Sequence, residues 1–269
     1  MSRGKNKPSS LAAELSAEFL GTLVLILFGC GSVAMVVLFG LERPNELVHG
    51  GWTNINLGWG LGVTMGIYIA GRISGAHLNP AVTLALAVFR GFPWGKVLPF
   101  AAAQTAGGFL AAALVYWNYL PAFHKFDPQL ERTAGIFATF PTFAGEPGAG
   151  LLDQFLGTAL LMLLILAITD ERNSAANPKL TPWMIGMVVL GIGVSFGGMH
   201  GYAINPARDL GPRLFTVLAG FKHNGLTDGT GVFWVPIVGP LAGALTGAAL
   251  YDLAIGRFLP PAATQNTVE

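Results

Sequence analysis

Two short stretches of the sequence repeat the same helix-start signal. GAHLNPAVT occupies residues 75–83 and GYAINPARD occupies residues 201–209. Asparagine is a strong helix N-cap, and proline suits the first helical position because its missing N–H is not needed there. The pattern therefore predicts that Asn79 caps a helix beginning Pro80-Ala81, and that Asn205 caps one beginning Pro206-Ala207.

The composition indicates where these two helix starts lie. The chain has 269 residues, of which 52% are hydrophobic and only 11% are charged, whereas soluble domains carry about 25% charged residues. This predicts a membrane protein; the alternative is a large soluble protein with an unusually apolar core. The net charge of +1 gives no indication of nucleic-acid binding. No His/Cys cluster has metal-ligand spacing, so neither a metal nor another cofactor is expected.

Six segments are long and apolar enough to be predicted as membrane spans, because a span needs ~20 mostly apolar residues. They are residues 12–39, 55–72, 96–119, 151–169, 182–200 and 232–256. Two shorter apolar pieces, 79–89 and 205–218, follow the asparagine caps. The first of them would be only ~16 Å long as a helix, about half of a ~30 Å hydrocarbon layer, so we predict two re-entrant half-helices.

The two halves of the sequence match in more than the helix caps. The first opens with AEFLGT at 17–22 and the second with DQFLGT at 153–158. Three spans per half is an odd number, so the second copy must be inserted upside down. We therefore predict an all-α membrane protein with six transmembrane helices, two re-entrant half-helices and an inverted three-helix repeat. Residues 1–269 would form a single membrane channel domain, with repeats at about 11–119 and 151–257 joined by a surface loop at 120–150.

Two glycine stripes and the distribution of basic residues give further expectations. Glycines at every fourth position (58, 62 and 66, then 239, 243 and 247) predict close helix crossings, which we place between the halves. With both termini in the cytoplasm, more lysines and arginines lie inside than outside, a mild form of the positive-inside rule. The inside set is Arg3, Lys5, Lys7, Arg72, Arg90, Lys96, Arg172, Lys179 and Arg257.

Helix caps inside a membrane call for an explanation, since irregular backbone is tolerated there only where it is buried or lines a water-filled cavity. Inverted symmetry would bring both caps to the membrane centre. Each half-helix would present about +0.5 charge there, which repels cations, and each asparagine amide could donate to a passing oxygen. The carbonyls before the caps, without helical partners, could accept hydrogen bonds from a solute. These are the carbonyls of Gly75, Ala76, His77, Gly201 and Ala203.

These residues resemble the major intrinsic protein family, the aquaporins and glycerol facilitators. The similarity covers residues 12–257 and includes both Asn-Pro-Ala motifs, GAHLNPAVT and NPARDLGPR in the expected order. The resemblance implies six membrane helices with two half-helices, a homotetramer with one pore per subunit, and a location in the plasma membrane.

The resemblance also assigns a constriction near the outer mouth of the pore. By offset it consists of Trp59, Gly193, Tyr202 and Arg208. Gly193 stands where water-selective members carry a histidine, so a wider opening is expected there. Asp209, directly after the arginine, is typical of the glycerol-conducting branch. Other readings stay open: Arg208 as a snorkelling or ion-paired arginine, Trp59 and Tyr202 as interfacial aromatics, and Gly193 as a packing residue.

Two positions depart from the family pattern. Bacterial glycerol facilitators carry phenylalanine where Tyr202 stands. The hydroxyl of Tyr202 is expected to narrow the constriction slightly or to add a hydrogen bond. The family often has one buried glutamate in each half. Glu18 matches the first, and we expect it to accept hydrogen bonds from backbone N–H groups of the loop before the half-helix. Gln154 stands at the second position, where it could do the same without a charge.

The sequence therefore favours a passive channel for glycerol, other small uncharged polyols and water, which excludes protons and ions. A mainly water-selective pore, or one that also takes urea or metalloid acids, is the alternative. A coupled transporter would need an ionisable group at mid-membrane, and none is found. A scaffold would not need Arg208 and both caps. An enzyme is least favoured, because His77 and His200 have no paired nucleophile or carboxylate.

Overall fold

The computed structural model describes residues 9–173 and 177–261 and is built from helices. The nine α-helices of these ranges are α1 Leu11–Gly40, α2 Gly51–Ala70, α3 Pro80–Phe89, α4 Val97–Asn118, α5 Leu120–Phe126, α6 Pro147–Thr169, α7 Thr181–Phe196, α8 Pro206–Leu218 and α9 Val235–Ala254. Short 3-10 turns at Trp94–Lys96, Ala134–Ile136, Val232–Trp234 and Gly256–Phe258 complete them. Arg3, Lys5 and Lys7, on which the predicted orientation partly rests, lie outside the described residues.

The order of helices is the same in both halves. A long helix (α1 or α6) is followed by a second helix (α2 or α7), a half-helix (α3 or α8) and a last helix (α4 or α9). Each half-helix packs against the last helix of the other half, α3 on α9 and α8 on α4, while α2 packs against α7. The halves therefore interlock, and neither half-helix is enclosed by its own repeat alone.

Within residues 9–173 and 177–261, four helical segments are long and apolar enough to cross a membrane by length and composition: Leu11–Gly40, Trp94–Asn118, Gly148–Thr169 and Val232–Phe258. The other two predicted spans are weaker. Helix α2 is rich in glycine and polar residues. Helix α7 ends at Phe196 rather than at the predicted residue 200, because the chain turns there into the segment that leads back to Asn205. With 16 residues, α7 is only about 24 Å long.

Both glycine stripes lie within a half, so the prediction that they join the halves is wrong. A Cβ atom at Gly62 would lie 2.6 Å from the carbonyl oxygen of Leu25, so the first stripe packs α2 against α1. The second packs α9 against α6, since a Cβ at Gly243 would overlap the carbonyl oxygen of Phe155. The spacing of four residues between the glycines predicted that they share one helix face. It carried no information about which helix lies opposite that face. The halves approach through other glycines, among them Gly60, where a Cβ would lie 2.9 Å from the oxygen of Gly186.

The segment between the halves, residues 120–150, is not the surface loop that its Pro, Gly and charged residues predicted. It contains α5, and residues 133–139 are largely buried. Phe123 and Phe137 stack 6.0 Å apart and pack against Phe215, Phe221 and Tyr116. Asp127 accepts hydrogen bonds from the backbone of residues 131 and 132 and from the hydroxyl of Thr133. The segment is therefore a folded part of the molecule, held by an aromatic cluster.

The close approach of α6 and α9 yields a first prediction. Replacing Gly243 by alanine places a methyl group against the carbonyl of Phe155 and 3.1 Å from the amide nitrogen of Ala159. The two helix backbones must then separate, and such overpacking costs about 1–3 kcal/mol. Unfolding is followed with a thiol-reactive dye, because the single cysteine, Cys30, is fully buried.

The matched control is Gly191→Ala in α7, where a Cβ meets nothing within 4 Å. This variant should be as stable as the wild type or slightly more stable, since alanine favours a helix over glycine. Equal unfolding temperatures for the two variants would contradict this account of the α6–α9 contact.

Candidate solute pore

The two half-helices begin at the same place in the molecule. Asn79 Oδ1 accepts a hydrogen bond from the amide of Ala81 (2.9 Å), and Asn205 Oδ1 accepts from the amides of Ala207 and Arg208 (3.0 and 3.2 Å). Each side-chain amide also donates across the molecule, Asn79 Nδ2 to the carbonyl of Ile204 (2.8 Å) and Asn205 Nδ2 to that of Leu78 (2.7 Å). One of the two N–H groups of each amide is thus used structurally, and only the other can serve a solute.

The loops that lead to the caps have the same backbone conformation in both halves. In the first, Gly75, Ala76 and Leu78 have φ of 90°, 52° and 51°; in the second, residues 201, 202 and 204 have φ of 68°, 35° and 46°. Left-handed backbone at residues other than glycine costs on the order of 1–3 kcal/mol each and is found mostly at functional sites. Other contacts must therefore hold these loops in place.

Glu18 holds the first loop. Its Oε1 accepts from the amide of His77 (2.9 Å) and the hydroxyl of Ser74 (2.5 Å), and its Oε2 accepts from the amide of Leu78 (2.7 Å) and Gln104 Nε2 (2.7 Å). The side chain is completely buried. The expected bonds from the loop backbone are therefore present, and four donors share one carboxylate.

Gln154 holds the second loop with fewer bonds. Its Oε1 accepts from the amide of Ile204 (2.8 Å), and its Nε2 donates to the carbonyl of His200 (3.1 Å). The carboxamide thus binds one donor and one acceptor of the loop, whereas the carboxylate of Glu18 binds donors alone. The same position is used in both halves, with different polarity.

A cavity of about 380 Å³, here called the inner cavity, runs from the predicted cytoplasmic side at Thr169 and Thr181 to the two caps. Most of its wall is apolar. Both asparagine caps line it, as do four of the predicted carbonyl-bearing residues: Gly75, Ala76, His77 and Ala203. The backbone carbonyls of these four residues, and of Gly201, accept no hydrogen bond from any of the described residues. The wall is thus an apolar tube with one polar stripe.

A second cavity of about 500 Å³, the outer cavity, lies on the other side of the caps and is lined in part by residues 135–142 of the connecting segment and by Gly201. Three residues line both cavities: Trp59, Tyr202 and Arg208. The two cavities therefore adjoin at these three side chains. They are three of the four residues that the sequence assigned to a constriction.

Arg208 is held rigidly between the cavities. Its guanidinium carbon lies 3.9 Å from the centre of the Trp59 ring, and its Nη1 donates to the backbone carbonyl of Phe137 (2.9 Å). The side chain is buried and forms no ion pair with any described residue. Arginine keeps its charge and presents several donors in fixed directions, so its other N–H groups are available to a solute.

Gly193, the fourth predicted constriction residue, lines neither cavity. A Cβ atom at this position would lie 2.5 Å from Cζ of Tyr202, because the tyrosine ring rests against α7 at this glycine. The opening predicted beside Gly193 is therefore filled. The Tyr202 hydroxyl is buried there as well, so it does not narrow the constriction, which was one of the two expectations for it. The apolar ring of Tyr202 lines the pore.

Asp209, which follows Arg208, lies behind the pore and not in it. It pairs with Arg213 (Oδ1 to Nε, 2.7 Å), and its Oδ2 accepts from the amide and hydroxyl of Thr139 (both 2.8 Å). Arg213 donates to the carbonyls of Thr139 and Asn224 (both 2.7 Å). Both charged side chains are buried. This network fixes the segment that carries Phe137, the hydrogen-bond acceptor of Arg208.

Comparisons with known proteins agree with this arrangement. The family model described as "Major intrinsic protein" matches residues 5–251. The chain belongs to the major intrinsic protein family.

Named relatives and a solved structure refine this membership. Aquaglyceroporin-2 of Rhizophagus irregularis is 43% identical over 242 residues, covering 88% of this chain and 75% of the relative. Aquaporin-10 of Milnesium tardigradum is 42% identical, covering 97% and 67%. The X-ray structure of the aquaglyceroporin from Plasmodium falciparum is similar with a TM-score of 0.80 and 31% identity, covering 90% of this chain and 96% of that one. The protein is thus a multi-pass membrane channel of the aquaporin and aquaglyceroporin family, and not an enzyme.

The sequence did not identify several residues on which this channel's site depends. Phe137 acts through a backbone carbonyl, and Thr139 lies in a segment interpreted as a surface loop, so neither had a local signal. Gln104 was different. Its Nε2 donates to Glu18 and to the hydroxyl of Thr83 (2.7 and 3.3 Å), and a polar carboxamide in the middle of a predicted membrane helix is a recognisable signal.

The four bonds to Glu18 yield a second prediction. In Glu18→Gln one of the two acceptor oxygens becomes an NH2 group that faces other donors, and each lost bond to a charged acceptor is worth about 1.5–3 kcal/mol. We expect a lower unfolding temperature and a lower solute permeability per channel. Glu131→Gln removes the same charge at an exposed position and should change stability by less than about 0.5 kcal/mol. Equal behaviour of the two variants would contradict the role of the carboxylate.

The buried ion pair yields a third prediction. Arg213→Met leaves Asp209 buried without its partner, which should lower the free energy of unfolding by about 3–5 kcal/mol. The double variant Asp209→Leu/Arg213→Met removes both charges, so it should be more stable than Arg213→Met alone. Thermal unfolding in detergent measures both, and a double variant that is no more stable than the single one would show that the pairing is not the dominant contact.

Proposed function

We propose that the protein is a passive channel for glycerol and other small uncharged polyols, which also conducts water and excludes protons and ions. The observation that carries the proposal is that Trp59, Tyr202 and Arg208 alone line both cavities among the described residues. Two of these side chains present aromatic surface and the third presents hydrogen-bond donors. Such a constriction suits a solute with a carbon backbone on one side and hydroxyl groups on the other.

Exclusion of cations follows from the charges around the pathway. The N-termini of α3 and α8 meet at the caps, and each carries about +0.5 charge. Arg208 adds a full positive charge. A cation would meet these charges without a carboxylate to offset them, whereas an uncharged solute would exchange its water for the carbonyl stripe and the arginine.

The orientation of the channel, its oligomeric state and its membrane belong to the same proposal. The excess of lysine and arginine on one side supports a cytoplasmic location for both termini. Family membership supports one channel domain per chain, a homotetramer and the plasma membrane. The relative and the solved structure that are named aquaglyceroporins support polyols as solutes.

Solute flux is measured on purified protein in liposomes, by stopped-flow light scattering after a glycerol gradient and after a sucrose gradient. Fast re-swelling in glycerol with a low activation energy is the expected result. Water flux without glycerol flux would replace the proposal with a water-selective pore. Flux of urea or metalloid acids as fast as that of glycerol would broaden it, and the absence of all flux would refute it.

A fourth prediction ties this flux to the inner cavity. Val189 on α7 is buried and lines the inner cavity, so Val189→Trp should fill the cavity and lower both glycerol and water permeability at least roughly tenfold, by excluded volume. Val194 on the same helix is 58% exposed and serves as the matched control. Val194→Trp should conduct like the wild type. Equal loss of flux in both variants would show that the solute does not pass through this cavity.

A further inference from the structure

Tyr202 lies in a cradle formed by α2 and α7. Its ring rests on two glycines one turn apart, since a Cβ at Gly193 or at Gly197 would lie 2.5 Å from a ring carbon. Trp52 contacts the ring edge-on with 5.7 Å between centroids, and Trp52 Nε1 donates to the carbonyl of Gly193 (3.2 Å). The cradle therefore admits the ring only because residues 193 and 197 have no side chain.

Two buried polar atoms meet at the closed end of this cradle. The hydroxyl of Tyr202 and Oδ1 of Asn56 are both fully buried, and neither has a hydrogen-bond partner among the described residues. Oδ1 of Asn56 and the ring carbon that bears the hydroxyl both lie within 2.5 Å of the point that a Cβ of residue 193 would occupy. One atom is a donor and the other an acceptor, and leaving either unpaired is unfavourable.

The orientation of Asn56 makes it a suitable partner. Its Nδ2 donates to the carbonyl of Trp52 one turn earlier (2.8 Å), which directs the carboxamide oxygen away from α2 and towards Gly193. Asn56 itself lines neither cavity, so it does not touch a solute. It can influence the pore only through Tyr202, which lines both.

We propose that Asn56 is a positioning residue for selectivity: one water molecule accepts a hydrogen bond from the Tyr202 hydroxyl and donates one to Oδ1 of Asn56. This bridge holds the ring in the cradle and keeps the hydroxyl out of the pore. Without it the hydroxyl turns towards the water of the cavities, and the ring then narrows the passage between Trp59 and Arg208. A solute as wide as glycerol is affected more than water. The choice of glycerol as the discriminating solute rests on the proposed function.

The test compares four proteins in liposomes: the wild type, Asn56→Leu, Tyr202→Phe and the double variant. Leucine matches asparagine in shape but accepts no hydrogen bond, so Asn56→Leu should lower glycerol permeability about fivefold or more, the equivalent of one buried donor left unpaired. Water permeability should fall by less. Tyr202→Phe has no hydroxyl to satisfy, so its own permeability is the reference against which the double variant is compared.

Rescue decides between positioning and a general structural role. The double variant should conduct like Tyr202→Phe, because a phenylalanine ring stays in the cradle without Asn56. An unchanged flux in Asn56→Leu, or a loss that Tyr202→Phe does not restore, would overturn the inference. Should Asn56→Leu fail to fold, Asn56→Ser is used, since its shorter side chain does not reach Gly193.

Water flux in the same vesicles separates this inference from the proposed function. A wild type that conducts water but no glycerol refutes the polyol channel. The positioning role of Asn56 is then tested by water permeability alone. Asn56→Leu should still lower it, and the double variant should restore it. Absence of that pattern would refute the positioning role of Asn56, whichever solute the channel conducts.

Discussion

The structure depends on a reciprocal pair of hydrogen bonds between its halves. Asn79 donates to the carbonyl before Asn205, and Asn205 donates to the carbonyl before Asn79. Each asparagine also caps its own half-helix, so these five bonds fix both helix starts against each other. This arrangement requires the two half-helices to reach the molecular centre from opposite sides. The packing of α3 on α9 and of α8 on α4 supplies that approach, and the loops between must then take up left-handed backbone.

Buried polar side chains behind the pore stabilise this strained backbone. Glu18 offers two oxygens to four donors, whereas Gln154 offers one oxygen and one donor. The inverted repeat is therefore symmetric in backbone and asymmetric in electrostatics. The second half compensates with a buried ion pair of its own, between Asp209 and Arg213, which fixes the connecting segment above α8. These charges bind backbone groups, and this leaves the backbone carbonyls of the loops free for the pore.

Much of the fold was readable from the sequence, because its determinants are local. Apolar length, the Asn-Pro caps at 79 and 205 and the repeated FLGT gave the helices and the inverted repeat, and the resemblance to a family gave Trp59, Tyr202 and Arg208. The failures all concern contacts between distant parts of the chain. Glycine spacing could not say that Gly243 faces Phe155. The composition of residues 120–150 could not show that Phe137 stacks on Phe123 and presents its carbonyl to Arg208. The glycine at 193 predicted free space, but a neighbouring ring determines what occupies that space.

The distribution of charge between pore and scaffold bears on mechanism. Among the described residues, no aspartate or glutamate lines either cavity; the buried carboxylates of Glu18 and Asp209 are turned towards backbone amides, hydroxyls and Arg213. Coupling to an ion gradient needs an ionisable group in the pathway that changes state during transport. Here the pathway offers backbone carbonyls, two amides already engaged in structural bonds, an arginine that keeps its charge at all physiological pH values, and His77, whose ring Nδ1 lies 3.1 Å from the hydroxyl of Thr83. The carbonyls, the amides and the arginine are fixed in both position and charge, so the pathway presents a constant pattern of hydrogen-bonding groups to whatever enters it.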